Sequence, residues 1–97
     1  MRLTAGEVDA IKAAVADIFG TNAVVRLFGS RVDDARRGGD IDLHITLATP
    51  ASGDANGRFL LALMRTIGER EIDVIYSYVG APPRPVDNSA FSRGIVL

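Results

Sequence analysis

The sequence predicts an α/β fold in two layers: a short sheet of about three strands, to which the tail can add, with helices on one face. Three observations predict it. Two long stretches carry apolar residues at helical spacing, near residues 4–20 and 54–68. Three shorter runs, 23–28, 40–47 and 72–78, are rich in Val, Ile and Leu and read as strands placed between and beside them. Glycines at 20, 29, 38, 39 and 68 punctuate the boundaries. A length of 97 residues fits a single domain spanning 1–97, with a core motif over 23–78 and a tail over 79–97.

The first helix has a marked start. Thr4 and Glu7 have capping-box spacing, and Leu3 can staple onto Val8. Val8, Ile11, Val15, Ile18 and Phe19 then make one apolar stripe, and Gly20 stops it. Ala23–Phe28 follows as a strand, with Arg26 marking an exposed face. Gly29-Ser30 ends the strand. Ser30 and Asp33 repeat the capping-box spacing, Arg36 and Arg37 suit the last turn of a short helix, and Gly38-Gly39 closes it. A strand running through glycine into a helix N-terminus directs backbone N–H groups outward and attracts an anion such as phosphate. A plain turn with an N-cap has the same local pattern.

Asp40–Leu47 alternates: Ile41, Leu43, Ile45 and Leu47 face one way, and Asp40, Asp42, His44 and Thr46 the other. Asp is depleted in strands, and like charges side by side repel, so two aspartates on one face need a reason. A divalent cation between them supplies one. His44 extends the same face. As a lone histidine it reads as a surface residue, with metal or phosphate binding as the alternative.

Thr49–Gly57 is a loop broken by Pro50 and Gly53, and Asp54 is a candidate N-cap. Phe59, Leu60, Leu63, Met64 and Ile67 give the second long helix a broad apolar face, and Gly68 stops it. In the strand Ile72–Tyr78, Asp73 stands alone in an apolar setting. A charge there is costly unless it is paired or bound to metal. It joins Asp40 and Asp42 if its strand lies beside theirs; otherwise it is an exposed Asp on an edge strand. In the tail, Pro82-Pro83-Arg84-Pro85 reads as stiff and extended. Asn88 or Ser89 is expected to cap a short turn through Arg93. Ile95-Val96-Leu97 either docks on the domain or belongs to an interface.

Composition narrows the function classes. A net charge of −1 gives no basic surface for strong nucleic-acid binding, apart from the local group Arg31, Arg36 and Arg37. The absence of cysteine removes disulfides and zinc–thiolate sites. No apolar run approaches the ~20 residues of a membrane span, and no signal-peptide pattern opens the chain, so a cytoplasmic location is expected.

A phosphate-binding turn, carboxylates at i and i+2 and a third on a later strand are the parts of two-metal phosphoryl chemistry, in which shared carboxylates hold two cations about 3.5–4 Å apart. Mg²⁺ takes such oxygen ligands together with substrate phosphates. The combination Gly29-Ser30, nine residues, Asp40-Ile41-Asp42 and then Asp73 resembles the nucleotidyltransferase superfamily that includes DNA polymerase beta and the aminoglycoside nucleotidyltransferases. The Gly-Ser-Arg start at 29–31, the Gly-Asp-Ile-Asp-Leu core at 39–43 and the small size are most similar to its minimal nucleotidyltransferases, which pair with helical HEPN proteins. The likeness spans about residues 20–78, with a weaker echo in Ser92-Arg93-Gly94-Ile95.

The resemblance implies a palm with a mixed sheet. It implies that Gly29 and Ser30 hold the phosphates of ATP or another nucleoside triphosphate, with Arg31 balancing their charge. Asp40 and Asp42 would bind two Mg²⁺ ions, and Asp73 would complete the metal site and take the acceptor's proton. Some members are antitoxins that transfer AMP from ATP to a tyrosine of the HEPN partner. Larger relatives use a further domain to hold the acceptor, which 97 residues are not expected to provide. Two other readings stand beside a protein adenylyltransferase: an antitoxin acting by contact alone, and a small-molecule nucleotidyltransferase completed by homo-oligomerisation.

Overall fold

A computed structural model describes residues 3–28, 41–51, 53–68 and 71–97. Its elements are α1 (Ala5–Phe19), β1 (Val24–Phe28), β2 (Ile41–Leu47), α2 (Ala55–Ile67), β3 (Ile72–Tyr78), α3 (Pro85–Arg93) and β4 (Ile95–Val96). Together they make the expected α/β fold, a four-stranded mixed sheet with helices, in the strand order β3-β2-β1-β4. β1 pairs antiparallel with both β2 and β4, while β2 and β3 are parallel. A parallel pair cannot be joined by a tight turn, and α2 is the crossover between β2 and β3.

The capping box at Thr4 forms as read. Glu7 N–H donates to Thr4 Oγ1 at 3.1 Å, and Thr4 N–H donates to Glu7 Oε1 at 2.9 Å. α1 ends at Gly20, whose φ of +97° lies in the region that disfavours side-chain-bearing residues. Ile11, Leu27, Ile41, Leu43, Ile45, Phe59 and Leu63 are fully buried, so α1 and α2 seal one face of β1 and β2. Each such side chain contributes about 1.5–3 kcal/mol of burial. Phe19 extends this core, its ring 5.5 Å from those of both Phe59 and Tyr76. Burial, aided by nearby Tyr78, pushes the Tyr76 phenol up to about 12, so it stays protonated and donates to Asn56 Oδ1. That bond ties β3 to the start of α2.

The second long helix differs from its sequence pattern in two details. Met64 is 48% exposed, because its position lies off the stripe that Phe59 and Leu63 turn toward the sheet. Asp54 occupies the N-cap position but makes no side-chain capping bond; its carboxylate instead meets Arg58 Nε one turn on, at 3.5 Å.

The tail departs further. Asn88 and Ser89 do not cap a turn; both lie inside α3, which starts at Pro85 behind the N-cap residue Arg84. Proline at the first helical position loses no bond that the helix needs. Asp87 at the third position accepts from Arg84 N–H at 2.8 Å. Beyond α3, Ile95 and Val96 pair with Leu27 and Arg26, and Leu97 N–H donates to Val25 O at 3.0 Å. The apolar terminus therefore docks on the domain as a sheet edge.

Candidate functional site

Register decides which side chains can act together. β2 and β3 run parallel with Asp42 opposite Asp73, His44 opposite Ile75 and Thr46 opposite Ser77. In β1, Phe28 lies opposite Asp42, Arg26 opposite His44 and Val24 opposite Thr46. Opposed residues share a face, so these positions make three rows across the side of the sheet away from α1 and α2. One outer row holds the carboxylates, the middle row holds His44, and the other outer row holds a hydroxyl pair. In that last row Thr46 Oγ1 and Ser77 Oγ are 3.0 Å apart.

Asp42 and Asp73 thus sit side by side where β2 and β3 begin, Asp42 half-buried and Asp73 exposed. Adjacent strands are about 4.8 Å apart, so the two carboxylates are near enough to share a cation. Among the described residues no group of three or more His, Cys, Asp or Glu side chains gathers at a metal-binding distance. Gly29, Ser30, Arg31 and Asp40 lie outside the described residues, as does the short helix expected after Ser30. The structure therefore brings together two of the expected site residues, Asp42 and Asp73. A pair of hard oxygen donors suits Mg²⁺ and would be a poor site for a soft metal.

His44 is not the surface residue its sequence context suggests; it is fully buried. Its Nε2 lies 2.8 Å from Oδ1 of Asp87 on α3, while Nδ1 has no hydrogen-bond partner. Asp87 is also held by Arg84, whose Nε donates to Oδ2 at 2.9 Å and whose terminal nitrogen donates to Oδ1 at 3.0 Å. The same guanidinium donates to the carbonyl of Tyr76 at 2.6 Å. The side-chain bond from Arg84 first, then the bond to His44 and the Arg84 backbone N–H, hold the Asp87 carboxyl well below the usual carboxylate range despite its burial. Phe91, one turn further along α3, packs at right angles against the His44 ring with centroids 5.4 Å apart, and Arg26 lies over Phe91 at 5.0 Å.

The reason His44 is buried is therefore the tail. α3 crosses the middle row and covers it, with the carboxylate row on one flank and the hydroxyl row on the other. Sequence reasoning missed Asp87 as the partner of His44, 43 positions away. A local signal for the helix itself was present: Pro85, then Asp87 in the first turn.

On the hydroxyl flank, α3 and the 79–84 turn enclose a cleft of about 420 Å³. Thr46 and Ser77 are part of its lining, as are Tyr78, Arg84, Asp87 and Phe91. Among the described residues no helix is long and apolar enough to cross a membrane. Compared with known proteins, the chain matches no family model and no curated protein.

Proposed function

We propose that the chain is a Mg²⁺-dependent nucleotidyltransferase that moves a nucleoside monophosphate, AMP from ATP in the first instance, onto a partner protein. The partner would be a HEPN-type toxin, and the chain its antitoxin. The observation that carries this reading is the in-register pair Asp42 and Asp73 on parallel strands, sharing one face of the sheet. Carboxylates one strand apart repel, and binding a cation turns that cost into a function. The spacing of Gly29-Ser30 and Asp40-Ile41-Asp42 adds support from sequence.

In this reading Asp40, Asp42 and Asp73 would hold Mg²⁺. When bound, the metal neutralises phosphate charge and favours ionisation of the attacking hydroxyl. The acceptor hydroxyl oxygen forms a bond to the α-phosphorus. The bond from that phosphorus to the bridging oxygen breaks, and pyrophosphate leaves. The hydroxyl proton passes to the carboxylate of Asp73, whose exposure leaves it open to an acceptor from solution. Gly29 and Ser30 would bind the phosphates and Arg31 would balance their charge.

The test is incubation of the purified protein with α-labelled ATP, Mg²⁺ and the product of the neighbouring gene. Label on the partner that disappears with Asp42→Ala supports the reading. No transfer, with Asp42→Ala indistinguishable from wild type, would sink it. A contact-only antitoxin is the second reading, motivated by the exposed apolar side chains Val79, Phe91 and Val96. It requires that Asp42→Ala still suppress toxicity in cells.

A further inference from the structure

The cleft beside α3 is separate from the carboxylate pair. Its floor, the Thr46–Ser77 row, lies four residues along the strands from Asp42 and Asp73, about 13 Å at the usual rise. α3 stands between them on the middle row.

The composition of the cleft selects a ligand class. Two exposed aromatic side chains line it, Tyr78 at 38% and Phe91 at 44% exposure. Beside them is the planar guanidinium of Arg84, pinned by Asp87 and the Tyr76 carbonyl. Flat aromatic and guanidinium groups stack on flat π-systems. The floor offers two hydroxyls, each able to donate or accept, which suits a ring edge bearing both donors and acceptors. The charges of Arg84 and Asp87 cancel, so nothing in the lining favours a strongly anionic group. A volume of about 420 Å³ lies within the range of small-molecule sites.

We propose that this cleft binds the base of a nucleoside, stacked against Tyr78 and Phe91 and read at its edge by Thr46 and Ser77. The base could come from a free nucleoside or from a nucleotide whose phosphates bind elsewhere on the same face. The inference does not depend on nucleotidyl transfer.

The probe is adenosine, titrated into ¹⁵N-labelled full-length protein and followed by amide chemical shifts. Saturable shifts centred on Ser77, Tyr78, Gly80 and Phe91 are expected. Phe91→Leu and Tyr78→Leu should each weaken binding at least about fivefold, as loss of a stacking ring does. Tyr78 is the second site because its exposure makes a folding defect unlikely to confuse the result. Asp73→Asn should leave adenosine affinity unchanged, which separates this inference from the proposed activity. Mg·ATP distinguishes the sources: competition with adenosine means that a nucleotide's own base fills the cleft, and simultaneous binding means a separate nucleoside. No saturation by about 10 mM adenosine, an affinity too weak to serve as recognition, overturns the proposal. So does equal affinity in the wild type and both leucine variants.

Discussion

Asp73 and Asp87 show how differently two aspartates act in one small sheet. Asp73 is exposed and borders Asp42, so its value is chemical rather than structural. Asp73→Asn should lower label transfer by at least about 100-fold, the usual scale for a lost general base. Its stability should change by no more than ~0.5 kcal/mol, as at other surface sites; urea melts alongside the transfer assay check both. Asp87 is the reverse case, buried and bonded to Arg84 and His44. Asp87→Asn weakens charge-assisted bonds, and a loss of about 1.5–3 kcal/mol is expected in the same melts. The sign of its pH dependence follows from its lowered pKa. The folded state prefers the ionised form, so the stabilisation is present above the unfolded value of about 3.9 and is lost as pH falls below it. Wild type should therefore lose more stability than Asp87→Asn in melts taken between about pH 5 and pH 2.

Among the elements, α3 and β4 depend on a close approach that only one residue type permits. A Cβ on Gly94 would stand 2.5 Å from the carbonyl oxygen of Ala90 and 3.3 Å from both Arg26 Cβ and Leu27 O. Its φ of −71° is open to any residue, so contact and not backbone conformation requires glycine here. Gly94→Ala should cost about 1–3 kcal/mol, the range for overpacking, and thermal melts should show a fall in Tm. If Gly94→Ala melts like wild type, α3 does not approach β1 this closely. Local sequence marks this element only in part. Pro85 and Asp87 signal a helix start, while the covering of His44 depends on a contact 43 residues away in sequence. By contrast, α1, α2 and the three main strands were legible because each carries its own period: Val8, Ile11 and Val15 at helical spacing, Ile41, Leu43 and Ile45 at strand spacing.

Across the whole molecule, β1 and β2 occupy the centre of the sheet and β4 is a two-residue edge. Protection from hydrogen exchange should follow that order. The amides of Leu43 and Ile45, buried and paired on both sides, should exchange only with global unfolding, and those of Ile95 and Val96 far sooner. Equal protection in β2 and β4 would mean that the tail is as integral as the core. The sequence by itself determined the two-layer α/β class, because apolar periodicity is a local property that each segment carries alone. It also determined that Asp42, His44 and Thr46 share a face, since alternation along a strand needs no partner. Tertiary structure alone decided that Asp73 lies beside Asp42, because strand order and register are set by pairing between distant segments. It alone decided that His44 is buried against Asp87: a histidine's exposure depends on what folds back over it, and here that is α3.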